Sequence, residues 1–101
     1  MMLDWNEYQK QIATNTAQIG RANHEILKGY RGLSQAGKAT DLLGPKVREL
    51  IALAIAVTRQ CDGCIITHTD AAIKHGATRE EIVEALSVAV AANASAALIF
   101  L

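Results

Sequence analysis

The sequence predicts an all-α domain. Three observations carry this prediction. No stretch alternates apolar and polar residues with the period of a strand, three segments open with helix-start signals, and alanine-rich apolar runs extend over several helical turns. The chain has 101 residues and a mass of 10.8 kDa, so we expect a single domain over 1–101 with no linker.

The first forty residues predict one helix followed by a bend. Asp4, with Glu7 three positions later, predicts a capping box at the start of the helix. Apolar residues then recur at the spacing of one helical stripe: Trp5, Tyr8, Ile12, Ile19 and Leu27. We expect Trp5 and Tyr8 to pack in the core or against another subunit rather than to form a substrate wall. Three glycines predict a bend and a short helix within 29–43.

Three further helices are predicted in the remainder of the chain. The Gly-Pro dipeptide at 44–45 marks the start of the second helix, because proline at the first helical position loses no hydrogen bond. A third helix is expected to begin close to Cys61 and to end at Gly76. Thr78 and Glu81 predict a capping box at the start of a fourth helix.

The composition predicts an oligomer. Hydrophobic residues make up 50% of the chain, whereas a domain of this size buries only about two-thirds of its unfolded surface. Much of the excess is alanine, whose small side chain allows helices to approach closely. We therefore expect a helical homo-oligomer in which neighbouring subunits cover the surplus apolar surface.

Charge and the terminal segments restrict the partners. Ten basic and ten acidic residues give a formal net charge of zero without a basic cluster, which argues against a nucleic-acid partner. Residues 1–7 lack the basic and apolar regions of a secretory signal, so we expect a cytoplasmic protein. The uncharged run 85–101 is rich in weakly hydrophobic alanine. We therefore expect a helix buried between subunits and not a membrane span.

Four chemically reactive side chains fall close together in an otherwise apolar segment: Glu49, Cys61, Cys64 and His68. Helical spacings of i, i+3 and i, i+4 place both cysteines and the histidine on one face, so the imidazole can reach the Cys64 sulfur. A thiol reacts as the thiolate, which both a helix N-terminus and an imidazole favour. We therefore predict Cys64 as nucleophile, His68 as its base and Glu49 as the group that orients the imidazole.

Cys61 then suits the role of resolving thiol. Once a peroxide has oxidised Cys64 to a sulfenic acid, a second thiol one turn away can condense with it to a disulfide and release water. An external dithiol must then reduce that disulfide by exchange. In a reducing compartment, two cysteines favour redox chemistry or metal binding over a static structural bridge. His75, near the end of the same helix, is expected to be a capping residue.

Further residues extend this pattern along the chain. Glu49 is followed after eleven residues by Cys61-x-x-Cys64-x-x-x-His68, then by Gly76-Ala77-Thr78 and Glu80-Glu81-Ile82. This pattern covers about residues 42–86. It resembles the AhpD-like alkylhydroperoxidase branch of the carboxymuconolactone decarboxylase family.

The resemblance implies an all-helical fold, obligate trimers or hexamers, and reduction of hydroperoxides. It assigns Cys64 as the peroxidatic thiol, Cys61 as the resolving thiol, and His68 with Glu49 as the proton relay. The implied partners are a hydroperoxide and a dithiol reductant such as a lipoyl-bearing protein, with no cofactor or metal in the site. Gly63 stands where well-studied members carry a second histidine. The chain is shorter than two-repeat members, which favours hexamers over trimers.

Other functions remain open on the residues alone. A general thiol-disulfide oxidoreductase keeps every residue role except the peroxide oxidant. The decarboxylase side of the family typically lacks the cysteine pair. A zinc-binding helical module would use Cys61, Cys64, His68 and Glu49 as ligands, although no second Cys or His pair follows. A c-type haem is excluded, because its attachment needs a histidine directly after the second cysteine and this chain has Ile65 there. The last alternative is a structural helical protein with incidental thiols.

Overall fold

The computed structural model describes the backbone of residues 4–100 and the side chains of residues 4–99. Within this range the chain forms five α-helices and one short 3-10 helix, without a strand. In chain order these are α1 (Trp5–Ala22), α2 (His24–Gln35), the 3-10 helix (Ala36–Lys38), α3 (Pro45–Thr58), α4 (Asp62–Lys74) and α5 (Arg79–Phe100). The all-α prediction is confirmed. Residues 1–3 and 101, which the predictions about the termini include, lie outside the described residues.

Contacts divide the chain into two compact units, with the boundary between Leu42 and Leu43. The first unit holds α1, α2 and the 3-10 helix, and the second holds α3, α4 and α5. All four predicted site residues belong to the second unit. The single domain expected over 1–101 stays a prediction.

The N-terminal unit contains two helices where one helix and a bend were predicted. Asn23 has an extended backbone (φ −151°, ψ 93°), and its side-chain oxygen accepts a hydrogen bond from the N–H of Glu25 at 3.2 Å. Asparagine is a favoured N-cap because its side chain satisfies an amide that the helix leaves unpaired. Helix α2 then continues through Gly29 and Gly32, since each helical glycine costs only about 1 kcal/mol. The short helix and the bend predicted within 29–43 are present, but they begin after the first two glycines: the 3-10 helix spans Ala36–Lys38, and turn and bend residues lie within 39–43.

The start of α1 agrees with the sequence, whereas the role expected of Trp5 changes. Oδ1 of Asp4 accepts a hydrogen bond from the N–H of Glu7 at 3.1 Å, as expected of the cap. No described residue of α1 or α2 is buried, and Trp5 is 37% exposed. Trp5 is therefore not a core residue of the chain. Packing of Trp5 against another subunit stays a prediction.

The three helices of the second unit meet in a small core. Its buried side chains are Leu53 and Ala56 of α3, Ala72 of α4 and Ala89 of α5. Alanine predominates, which allows α4 and α5 each to approach α3 closely. Helix α3 begins where the sequence predicts, with Pro45 as its first residue after Gly44 at a φ of 83°.

Two polar contacts join α3 to α5. At the start of α3, Nζ of Lys46 donates to Oε2 of Glu81 at 2.8 Å. Glu81 and Thr78 also exchange the two hydrogen bonds of the predicted capping box. The hydrogen bond from Lys46, followed by that from the Thr78 amide, holds the pKa of Glu81 below its ordinary value. At the end of α3, Nδ2 of Asn93 donates to Oγ1 of Thr58 at 2.9 Å.

Helix α5 combines an apolar composition with high exposure. Its segment Arg79–Ile99 has 21 residues and a mean hydropathy of 1.8, which by length and composition is enough to cross a membrane. A helix that packs between protein chains passes the same test, and Asn93 already bonds α5 to α3. The expected burial of this helix between subunits stays a prediction, as does the cytoplasmic location.

Candidate functional site

A short connection that ends at Cys61 joins α3 to α4. The N–H of Cys61 donates to the carbonyl of Ala56 and the N–H of Gln60 to that of Val57, both at 3.1 Å. These are the two hydrogen bonds of a Schellman motif. Gln60 therefore takes a left-handed φ of 54°, a conformation that costs a non-glycine residue about 1 kcal/mol. Cys61 is extended (φ −98°, ψ 97°) and serves as the N-cap of α4.

The end of α4 repeats the same motif with a glycine. Gly76 has a φ of 91°, and its N–H donates to the carbonyl of Ile73 at 3.0 Å. The N–H of Ala77 donates to the carbonyl of Ala72 at 2.9 Å. The predicted helix stop at Gly76 is confirmed. The contrast with Gln60 shows that the chain places its less favourable residue at the junction beside the cysteines.

Cys61 and Cys64 are bonded to each other, with their Cα atoms 5.2 Å apart. The sulfur of Cys61 also accepts a hydrogen bond from the backbone N–H of Cys64 at 3.3 Å. Because a helix N-terminus stabilises negative charge, this amide favours a thiolate on Cys61 once the disulfide is reduced. The sequence attributed the helix effect to the segment 61–64 as a whole, whereas in the structure this amide bonds to the Cys61 sulfur.

His68 and Glu49 form the polar pair of the site. Nδ1 of His68, on α4, lies 2.6 Å from Oε2 of Glu49, on α3. Their side chains are 29% and 26% exposed, so the pair is largely shielded from solvent. When the carboxylate accepts the Nδ1 proton of a neutral imidazole, Nε2 is left as the acceptor. The contact between Glu49 and the imidazole that the sequence predicted is present.

One pocket of about 310 Å³ brings these groups together. It is lined by Ala52, Ile55, Ala56, Arg59, Cys61, Cys64 and His68. Helix α3 supplies three apolar side chains, and the start of α4 supplies the disulfide and the imidazole. The predicted nucleophile and its predicted base thus share a pocket wall. Their catalytic roles stay predictions.

Arg59 is the lining residue that sequence reasoning missed. It is the C-cap of α3, and its backbone N–H donates to the carbonyls of Ile55 and Val57. Its guanidinium has no acidic partner among residues 4–99. A signal was available in the sequence, because Arg59 is the only arginine or lysine between Arg48 and Lys74 and stands two positions before Cys61.

The remaining histidines lie outside this pocket. His75 is the C-cap of α4, as expected, and His24 is exposed at the first position of α2. Over the described part of the chain, no three His, Cys, Asp or Glu side chains are grouped to hold a metal ion. The zinc alternative would also require Cys61 and Cys64 as two separate thiolates, which their bond to each other prevents in this state.

Sequence comparison relates the chain to bacterial proteins. An uncharacterized protein of Cupriavidus necator is 33% identical over 88 residues, which cover 87% of this chain and 78% of that protein. The "uncharacterized protein 4 in cox locus" of Paracoccus denitrificans is 38% identical over 80 residues, or 79% and 72% of the two chains. An uncharacterized protein of Haemophilus influenzae is 38% identical over 72 residues, or 71% of this chain and 64% of its own length.

A solved structure and a family match agree with each other. The crystal structure of an apo carboxymuconolactone decarboxylase family protein from Legionella pneumophila has a TM-score of 0.80 with this chain and 40% sequence identity. The similarity covers 85% of this chain and 77% of that one. Residues 24–100 match the carboxymuconolactone decarboxylase family, a range that includes the whole pocket. The chain therefore belongs to the carboxymuconolactone decarboxylase family.

Proposed function

We propose that this protein is a thiol-dependent hydroperoxide reductase of the AhpD-like type. One observation carries the proposal: the bonded pair Cys61–Cys64 shares a pocket with His68, whose ring is held by Glu49. A disulfide next to a potential base is the oxidised end state of a two-cysteine peroxidase cycle. Membership of the family, together with the Cys-x-x-Cys pair, supports this proposal.

The oxidative half of the proposed cycle begins with the reduced pair. His68 takes the proton of the Cys64 thiol at Nε2, and the thiolate attacks the terminal oxygen of the hydroperoxide. The O–O bond breaks, Cys64 becomes a sulfenic acid, and the alkoxide leaves as an alcohol after it takes the proton from His68. The Cys61 sulfur then attacks the Cys64 sulfur. The hydroxide leaves with the Cys61 proton as water, and the disulfide forms.

The reductive half requires an external dithiol, for which we propose a lipoyl-type carrier. One thiolate of the dithiol attacks the Cys64 sulfur, and Cys61 leaves as a thiolate that the Cys64 amide stabilises. The second thiol of the carrier then attacks the mixed disulfide. This step releases Cys64 and leaves the carrier oxidised to its own disulfide, so the two electrons of the peroxide reduction come from the dithiol.

Rapid mixing of reduced protein with an organic hydroperoxide tests the proposal. We expect the loss of both free thiols of each chain, formation of one equivalent of the corresponding alcohol, and a Cys61–Cys64 disulfide in peptide mass analysis. Thiols that persist through prolonged exposure to several hydroperoxides would exclude the peroxidase function.

A general thiol-disulfide oxidoreductase is the second candidate. The same bonded pair favours it, because a Cys-x-x-Cys disulfide at a helix N-terminus exchanges with other dithiols without a peroxide. The two candidates differ in the step that oxidises the pair. Oxidation by a disulfide substrate, together with inertness toward hydroperoxides, would support the exchange enzyme. A decarboxylase would retain its activity when both cysteines are replaced by serine.

We further propose that the protein assembles into a homo-oligomer, with a hexamer favoured over a trimer. Large apolar side chains of α3 and α5 that line neither the candidate pocket nor the hollow beside it are exposed in the single chain, including Ile51, Val90, Leu98 and Ile99. An apolar surface of this extent on a small domain is typical of a subunit interface. Light scattering coupled to size exclusion measures the assembly directly. A monomer at all concentrations tested would contradict this proposal.

A further inference from the structure

The floor of the candidate pocket is apolar. Ala52, Ile55 and Ala56 of α3 line the pocket together with the disulfide and the imidazole, and we call these three side chains its floor. Two of these side chains are small, and the volume of about 310 Å³ leaves room for a hydrocarbon group. A floor of this kind favours organic hydroperoxides over hydrogen peroxide, because only the organic molecules gain from burial against it.

One permanent cation lines this pocket. The Arg59 guanidinium has no acidic partner among the described residues, and no carboxylate lines the pocket with it. Glu49, the carboxylate of the site, is paired with the His68 ring. A guanidinium without a partner at the edge of an apolar surface suits a carboxylate, which it binds through two parallel hydrogen bonds.

Arg59 also joins the pocket to a second hollow. This hollow, of about 450 Å³, shares Ile55 and Arg59 with the first one and is otherwise lined largely by apolar residues of α3 and α5. The backbone of Arg59 is fixed as the C-cap of α3, so its side chain extends from a rigid position two residues before Cys61. A ligand bound at Arg59 therefore has apolar surface on both sides of its charged group.

From these three observations we propose that Arg59 anchors the carboxylate of an organic hydroperoxide that also carries a long hydrocarbon chain, as in a fatty acid hydroperoxide. This inference rests on the proposed function and names the substrate class of the same site. The carboxylate pairs with Arg59 while the hydrocarbon chain lies on the α3 floor and presents the hydroperoxide to Cys64. Arg59 is a binding residue in this arrangement and takes no part in the proton transfers.

The kinetic test compares linoleic acid hydroperoxide with its methyl ester, both below their critical micelle concentrations. Stopped-flow oxidation of the reduced wild-type protein should be faster with the acid than with the ester. Arg59→Ala should lower the rate constant for the acid about tenfold and leave that for the ester unchanged, as expected for loss of one charged hydrogen-bonded pair. Arg59→Lys should recover part of the loss. The matched control is Arg79→Ala, an exposed arginine at the start of α5 that does not line the pocket.

A binding measurement separates this inference from the peroxidase function. Calorimetric titration of the oxidised protein with hydroxy-linoleic acid, the alcohol that the reaction would yield, needs no turnover. Arg59→Ala should weaken this binding about tenfold, while Arg79→Ala should not change it. If the acid binds through Arg59 but no hydroperoxide oxidises the thiols, the carboxylate-binding site at Arg59 is supported and the peroxidase function is excluded.

Two other results would contradict the proposed role of Arg59. Arg59→Ala could instead slow oxidation by the acid and by the ester by the same factor. The guanidinium would then act on the thiols or on the fold, and the proposed binding of the carboxylate by Arg59 would be wrong. The peroxidase function would be retained. Equal affinity of the wild type and Arg59→Ala for hydroxy-linoleic acid would also show that Arg59 does not bind the carboxylate.

Discussion

His68 and Glu49 are separated by nineteen positions in the chain, and their side chains meet at 2.6 Å. One lies on α4 and the other on α3, so the contact forms only when these two helices pack against each other. A hydrogen bond to an ionised carboxylate is shorter and stronger than a neutral one. The orientation of the potential base is therefore set by helix packing and not by the local turn around the cysteines.

The first prediction concerns this pair. His68→Gln should slow oxidation of the reduced protein by hydroperoxide about 100-fold, because it removes the proton acceptor of the Cys64 thiol. Glu49→Gln should slow the same step about tenfold, because a neutral amide orients the ring less firmly. Stopped-flow measurement of thiol oxidation provides both rate constants.

The double variant decides whether the two residues act as a unit. If Glu49 works only through His68, the double variant should be no slower than His68→Gln alone. Multiplied effects would mean that Glu49 acts independently of the imidazole. Glu84→Gln is the matched control, since Glu84 is an exposed carboxylate of α5 outside the pocket.

The cysteines should give different outcomes when each is replaced by serine. Cys64→Ser should abolish peroxide consumption, because the peroxidatic sulfur is lost. Cys61→Ser should allow one stoichiometric turnover and then stop, with Cys64 held as a sulfenic acid that dimedone labels. Serine is itself a favoured N-cap, so Cys61→Ser should keep the start of α4 folded. Full turnover by Cys64→Ser would show that the roles assigned to the two cysteines are wrong.

Gln60 offers a test of the helix junction. Its φ of 54° lies in the left-handed region that glycine adopts without a side-chain clash, as Gly76 does at the end of α4. Gln60→Gly should therefore raise the free energy of unfolding by about 0.5–1 kcal/mol. Gln60→Ala should give no such gain, because alanine retains the β-carbon. Urea denaturation of the oxidised proteins measures both values, and a destabilised Gln60→Gly variant would contradict the interpretation.

Glu81 should make stability depend on pH. Lys46 and the Thr78 amide hold its folded pKa below the ordinary value of 4.5, so the ionised form stabilises the fold. This contribution is fully present above pH 4.5 and is lost as the pH falls through the lower, folded pKa. The stability difference between wild type and Glu81→Gln should therefore be largest near neutral pH and shrink in acid. A difference that stays constant from pH 7 to pH 3 would argue against this contribution, and Glu80→Gln serves as the exposed neighbouring control.

The start of α2 shows where sequence patterns mislead. The apolar spacing from Trp5 to Leu27 fits one continuous helix, but the cap at Asn23 divides it. Periodicity reports which residues share a helical face and is insensitive to a one-residue break that preserves the pattern. Gly29 and Gly32 led to the opposite error, because they predicted a break where α2 is continuous. Helical hydrogen bonding outweighs their low helix propensity.

The sequence by itself determined the all-α class, the starts of α3 and α5, and the stop at Gly76. These features depend on local backbone preferences and on the fixed spacing within a helix. Only the tertiary structure decided that Glu49 meets His68 and that Arg59 lines the same pocket as the cysteines. The physical reason is that these contacts depend on how α3 packs against α4 and on the backbone path between them, and neither is encoded in the spacing of residues along the chain.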